Sequence, residues 1–294
     1  ENVDIGHKIA IRSIPRGQAI RKFGQIIGFA TLDIAAGEWI HSHNIHKGSL
    51  ELDYAFCSEI PDPPDPIDGR TFLGYRRKDG RAATRNYIGI LSTVNCSATT
   101  SKFVAARFDE AILADFPHID GVIALVHKGG CAMEFGGEDH SQLARTMAGF
   151  AKHPNIGAYL VLGLGCETGQ ASFMVDNHEL VQLQLPGQEQ EKLPLVMNIQ
   201  DYGGVAKTVD RAVDVLKEML PEVNRVQREP IPVSELILGT ECGGSDGNSG
   251  VTANPALGVA SDLIVAHGGT TILAETPEIH GGEHILTRRA ISRE

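Results

Sequence analysis

The chain has 294 residues, of which 42% are hydrophobic, with 26 lysines and arginines against 37 aspartates and glutamates. Cores can be well filled, while a formal net charge of -11 excludes a general polyanion-binding face and with it nucleic acid as a partner. Apolar runs are too short to span a bilayer, and five scattered cysteines, an odd number, do not make a secreted disulfide framework, so no membrane association and a reducing cytoplasm are expected.

Isoleucine-rich runs broken at Gly17, Gly24, Gly28 and Gly37 predict a small β domain over residues 1–50. Its WIHSHN segment, taken as strand, puts His41 and His43 on one face, where two imidazoles begin a divalent metal site. A solvated strand end rich in histidine, with His46 nearby, accounts for the same residues without a metal. Residues 51–71 carry PDPPDPIDG, which excludes helix and central strand and reads as an extended linker.

Over residues 72–230 strand and helix alternate, predicting an α/β domain with a mainly parallel sheet. Val104, Phe108, Ala111 and Ile112 mark one helix, Leu143, Met147, Phe150 and Ala151 a second, and Val209, Val213, Leu216 and Leu220 a third after the strand LPLVMNI. REPIPVSE interrupts with two prolines. Residues 231–294 then read as the start of a second α/β domain, with too few elements to close a sheet, so a fragment of a longer protein is expected.

Four apolar runs, YIGILSTVNCS, GVIALVHKGGC, AYLVLGLGCE and LILGTECGGSD, lead directly into Cys96, Cys131, Cys166 and Cys242. Each of the first two intervals is the length of one strand–helix unit. The carboxyl ends of neighbouring strands in an open α/β sheet form the ligand crevice, so these cysteines are expected to share one site. Cysteine's frequent use as a small buried residue is the alternative.

Around them lie further candidates. Glu167 follows Cys166, where partial burial would raise a carboxyl into the range of a general base; a solvent-facing glutamate is the alternative. His127 is either an acid–base group or a ring bonded to a neighbouring carbonyl. His140, in the first turn of a helix, reads as a buried neutral histidine. GTECGGSDGNSG offers backbone N–H groups at Gly243 and Gly244 and side chains at Cys242, Ser245 and Asp246 for an anion, but it is neither a dinucleotide fingerprint nor a P-loop, so no nucleotide is expected. Arg85 and Asn86 could hold a carboxylate, although they precede their strand and so belong to the opposite end of the sheet or to the charged surface.

Together GHKIAI, KFGQIIGFATLDIAAGEWIHSHN, DGRAATRNYIGILSTVNCS, HPNIGAYLVLGLGCE, LGTECGGSDGNSGVTANPALG and GGTTILAETPE resemble the altronate and galactarate dehydratase family of sugar-acid hydro-lyases over nearly the whole chain. The resemblance implies an antifreeze-protein-like β-clip (SAF) domain, the family's second α/β domain and the beginning of its C-terminal one. It also implies a lyase that removes water from a small anionic sugar acid to give a 2-keto-3-deoxy acid. The implied cofactor is a divalent metal, ferrous iron first and manganese or zinc as alternatives, held partly by His41 and His43. Glu167 or His127 is then the base, and Arg85 with the 243–247 turn the carboxylate clamp. Sulfolactate elimination, an iron–sulfur centre on the four cysteines, a non-catalytic sugar-acid-binding module and assembly into a homo-oligomer stay open.

Overall fold

The computed structural model describes residues 3–4, 6–49, 54–181, 193–241, 243, 247–279 and 281–294. The chain divides into two compact units, one made of Glu1–Asp68 with Leu236–Glu294, the other of Gly69–Glu235.

The N-terminal part of the first unit is all β, as the glycine-punctuated isoleucine runs suggest. Strand β1 (Lys8–Ile9) pairs antiparallel with β4 (Trp39–Ile40), and β3 (Gln25–Ala30) lies between β2 (Ala19–Lys22) and β5 (Ile45–His46). Ala10, Ile20, Ala30, Ile34 and Ile40 form its small core. Between β4 and β5 the backbone turns, and the buried Asn44 organises the turn: its Oδ1 accepts from His41 N at 2.9 Å and its Nδ2 donates to Trp39 O at 2.8 Å.

The second unit opens with β6 (Thr71–Arg76), β7 (Ala82–Ala83) and β8 (Tyr87–Ser92), followed by α1 (Asn95–Ala105), α2 (Glu110–Leu113) and β9 (Gly121–Leu125). Then come α3 (Glu138–Ala151), β10 (Ile156–Gly163), α4 (Ala171–His178), β11 (Val196–Asn198), α5 (Val205–Val223) and β12 (Glu229–Pro232). Strands β11, β10, β8 and β9 lie side by side in that order, all parallel. Their side chains alternate between faces. Ile88, Ile90, Leu160 and Leu162 pack with Val104 of α1 and Val209 and Leu216 of α5, while Leu91, Tyr159 and Val161 face Met147 of α3 and Met174 of α4. Both sheet faces are therefore covered, which is why β10 is an unbroken apolar run.

Two expectations are corrected. The helix expected through Val104 and Ile112 is interrupted after Ala105, and Asp109 caps the short second piece by accepting from Ile112 N at 3.0 Å. REPIPVSE does end the second unit, which stops at Glu235, but it is ordered, not irregular: β12 pairs antiparallel with β6, with Ile231 buried opposite Phe72. Prolines are tolerated there because β12 lies at the edge of its sheet, in the order β12-β6-β7.

Back in the first unit, β13 (Ile237–Thr240) and β14 (Thr270–Leu273) are parallel, joined through α6 (Gly247–Val251) and α7 (Ala253–Ala266), and α8 (Glu283–Arg289) follows. The proline-rich stretch has neither helix nor strand, but its backbone is anchored, Cys57 N to Thr287 O at 3.0 Å and Ile67 N to Ala266 O at 2.9 Å. Among the described residues no helix is long and apolar enough to cross a membrane.

Leu160 is fully buried in the central strand. We expect Leu160→Ala to lower unfolding free energy by about 2–5 kcal/mol, read from the urea midpoint by circular dichroism.

Candidate active site

Numbered in chain order, the parallel strands lie 2-1-3-4 across their sheet, so the strand order reverses between β8 and β10. The loops leaving the carboxyl ends of two such strands diverge to opposite faces and leave a crevice between them. Here those loops carry Thr93–Cys96 and Leu164–Glu167, with the β9 loop, His127–Cys131, alongside.

Hydrogen bonds weld the three loops together. Thr93 Oγ1 donates to Glu167 Oε1 at 2.6 Å, Asn95 N to Gly129 O at 2.9 Å and Gly169 N to Gly130 O at 3.1 Å. The loops approach so closely that side chains are excluded. Gly130 has φ +95°, and a Cβ there would stand 2.4 Å from Thr93 O; one on Gly163 would meet Glu167 Oε1 at 2.4 Å.

Cys96, Cys131 and Cys166 sit one on each loop, exposed and unpaired by disulfides, so the buried-thiol alternative does not apply to them. Gln200, just past β11, donates through Nε2 to Cys166 Sγ at 3.4 Å. Sequence reading missed Gln200, though the strand-end rule that singled out the cysteines points equally to it. Cys242, Gly244, Ser245 and Asp246 lie outside the described residues, and Gly243 is exposed.

Glu167 differs from its expected character. The residue is only 4% exposed, and burial alone would raise its carboxyl. Hydrogen bonds from Thr93 and from the N–H groups of Gly165, at 2.6 Å, and Leu164, at 3.1 Å, outweigh that effect and hold the carboxyl below its usual range. It is a stable anion that shapes the loop. His127 is likewise engaged at both nitrogens, with Nε2 2.8 Å from Ser92 O and Nδ1 accepting from Gly129 N at 3.2 Å, so the carbonyl-bonded alternative holds.

Arg85 and Asn86 stand at the amino end of β8, away from the crevice. Arg85 is exposed, 3.7 Å from Asp120. Asn86 is fully buried, accepting from Arg77 Nη1 at 3.0 Å and donating to His118 O and Val223 O at 2.7 and 3.2 Å. Burial draws the Arg77 guanidinium down to about 10, still protonated at neutral pH, and Asn86 is one of the acceptors that keep it in place. A carboxylate-binding role is overturned for Asn86, whose polar groups are committed inside the fold.

His41 and His43 do not share a strand face, because β4 ends at Ile40 and both lie in the turn. Both rings instead pack on Trp39, at 5.0 and 5.1 Å, and His7, which sequence reading passed over, joins them 5.2 Å from the same indole. Among the described residues no group of three or more His, Cys, Asp and Glu is placed to hold a metal ion. The two imidazoles alone do not fit a closed metal site.

This arrangement, a doubly wound α/β unit with an exposed thiol on each of three loops at its switch point, has the topology of a small-ligand scaffold; sequence comparison supplies its kinship. Residues 74–224 match the profile for the D-galactarate dehydratase/altronate hydrolase second domain, residues 233–294 that for the D-galactarate/altronate dehydratase C-terminal domain, and residues 1–48 that for the altronate/galactarate dehydratase SAF domain. The chain belongs to the D-galactarate/altronate dehydratase family. It is 37% identical over 295 residues to altronate dehydratase of Bacillus subtilis, covering 100% of this chain and 56% of the relative. Galactarate dehydratase (L-threo-forming) of Escherichia coli is 34% identical over 299 residues, covering 100% and 56%. The (2R)-sulfolactate sulfo-lyase subunit beta of Chromohalobacter salexigens is 34% identical over 223 residues, covering 76% and 51%. The chain thus spans about half the length of these curated relatives.

Two outcomes follow from this geometry. Asn86→Ala removes one of the three acceptors of buried Arg77 and the donor to two carbonyls, and we expect it to lower stability by about 1–3 kcal/mol in urea titration. Because the folded-state carboxyl of Glu167 lies below its unfolded value, its contribution is complete above the ordinary carboxylate range and disappears as pH falls through the folded value. The stability gap between wild type and Glu167→Gln should therefore be flat from about pH 8 to about pH 5 and shrink below about pH 4.

Proposed function

We propose that the strand-end crevice of the second unit serves a sugar-acid hydro-lyase reaction, removing water from an altronate- or galactarate-type acid. The observation that carries this reading is the presence of three exposed thiols on welded loops at the switch point, in a chain of this family.

In such an elimination the proton on C2, next to the carboxylate, is abstracted and its electron pair forms the C2=C3 bond. The C3 hydroxyl leaves as water after accepting a proton, and the resulting enol tautomerises to the 2-keto-3-deoxy acid. The acid and base must present a proton or a lone pair to the crevice. Exposed Cys96, Cys131 and Cys166 meet that condition, whereas His127 does not. Cys166, oriented by Gln200, is assigned the proton abstraction, and Glu167 the positioning of its loop. The positive end of α1, whose Ser97 Oγ donates to Leu162 O at 2.8 Å, favours the substrate carboxylate beside Cys96.

A divalent metal, ferrous iron before manganese or zinc, is proposed as cofactor on family grounds alone, and no step is drawn through it because the described ligands are too few. Action in the cytoplasm on a small anionic acid, by an assembly of like chains, completes the reading.

The test is anaerobic turnover of altronate, galactarate and sulfolactate, with each metal added, followed by 2-keto-3-deoxy product or sulfite release. We expect Cys166→Ser to lower kcat at least about 100-fold with little change in KM. Wild-type rates in all three cysteine variants overturn the assignment; calorimetric sugar-acid binding without turnover by the wild type establishes a binding module instead.

A further inference from the structure

Behind the crevice, on the α3 and α4 side, lies a small, partly open cavity of about 20 Å³ that the proposed chemistry does not use. Its wall is mostly apolar, with Leu143, Met147 and Phe173 among its members, but it also includes Thr93, His140 and Gln170. His140 is 2% exposed and its ring packs 4.4 Å from that of Phe173, tilted by 53°. Gly136 N donates to His140 Nδ1 at 3.2 Å, so the ring proton of neutral His140 resides on Nε2. That Nε2 is buried and has no hydrogen-bond partner among the described residues. A buried N–H donor without an acceptor is rare in a native fold and marks a missing partner.

The other two polar groups have the matching character. Thr93 commits its hydroxyl proton to Glu167 Oε1, leaving the oxygen as an acceptor, and Gln170 commits its amide nitrogen to Glu167 O at 2.7 Å, leaving its carbonyl oxygen as one. A water needs roughly 10–15 Å³ and two to four polar partners. The cavity meets the volume for one water and excludes a sugar acid or any larger ligand.

We propose that this cavity holds a single structural water that accepts from His140 Nε2 and donates to Thr93 Oγ1 and Gln170 Oε1, making His140 a positioning residue for the Glu167 loop. Through the water His140 acts on Thr93, and through Thr93 on the carboxylate that holds the Leu164 and Gly165 amides. A chain of this kind polarises each of its members and fixes their rotamers. The water site stands independently of the proposed reaction; the consequence for catalysis rests on it.

Crystals of the wild-type chain at high resolution test the site directly. Density for one water within hydrogen-bond distance of His140 Nε2, Thr93 and Gln170, with histidine ¹⁵N shifts showing the Nε2–H tautomer, is the expected result. An empty cavity or an Nδ1–H ring overturns the proposal, whatever the enzyme assay shows. His140→Phe should speed hydrogen exchange at the Leu164 and Gly165 amides about five- to tenfold, the equivalent of one hydrogen bond, while His140→Gln, which keeps a donor, should restore slow exchange. With active protein, kcat should fall in His140→Phe and recover in His140→Gln with KM unmoved; equal loss in both variants overturns the positioning role.

Discussion

The geometry of the crevice depends on one buried carboxylate. Glu167 follows the central strand β10, yet its oxygens gather a hydroxyl from the loop after β8 and two amides from its own loop. A charge taken out of water is tolerated only when such donors replace its hydration. That requirement explains why Gly163 and Gly165 flank it: any side chain at the first would occupy the carboxylate's place, and the second has φ +121° so that its N–H can turn towards the anion. The link between β8 and β10 is thus electrostatic at its end and apolar along its length, where Ile90 and Leu160 lie in the same buried layer.

This division of labour separates rigid from reactive groups. The titratable side chains that looked most chemical, Glu167 and His127, spend their hydrogen-bonding capacity on neighbouring backbone, whereas the thiols remain exposed. Loops held on a rigid sheet can then present weakly hydrated sulfur atoms at fixed positions, and a ligand entering there meets groups whose ordering has already been accomplished by folding.

Much of this was legible in the sequence because the second unit obeys strong periodic rules. Apolar runs followed at equal intervals by a cysteine define strands whose ends must align, and β8, β9 and β10 do align. The small β head followed by α/β elements was legible for the same reason, while its antifreeze-like kinship came from the resemblance of its segments to a known family. Reading failed where tertiary context decides. His41 and His43 alternate as a strand would, but Asn44 closes a turn before the strand can continue. Pro230 and Pro232 read as an interruption of the pattern until β6 supplies a partner. Asn86 looks like a surface amide because nothing nearby in sequence announces Arg77, nine residues earlier, as a buried cation seeking acceptors. Glu167 could not be assigned its low carboxyl from sequence, since its donors arise from a loop seventy-four residues away as well as from its own.

The two prolines of β12 carry one more implication. N–H groups on a strand point alternately to either side, and those of Glu229 and Ile231 are the ones left to pair with β6, since Pro230 and Pro232 have none. The outward rim of that sheet therefore displays carbonyls but lacks the donors a visiting strand would need. Intermolecular zippering is discouraged along this side, so a short, nearly unremarked segment safeguards the nascent molecule against clumping while its slower parallel pairings are still being made.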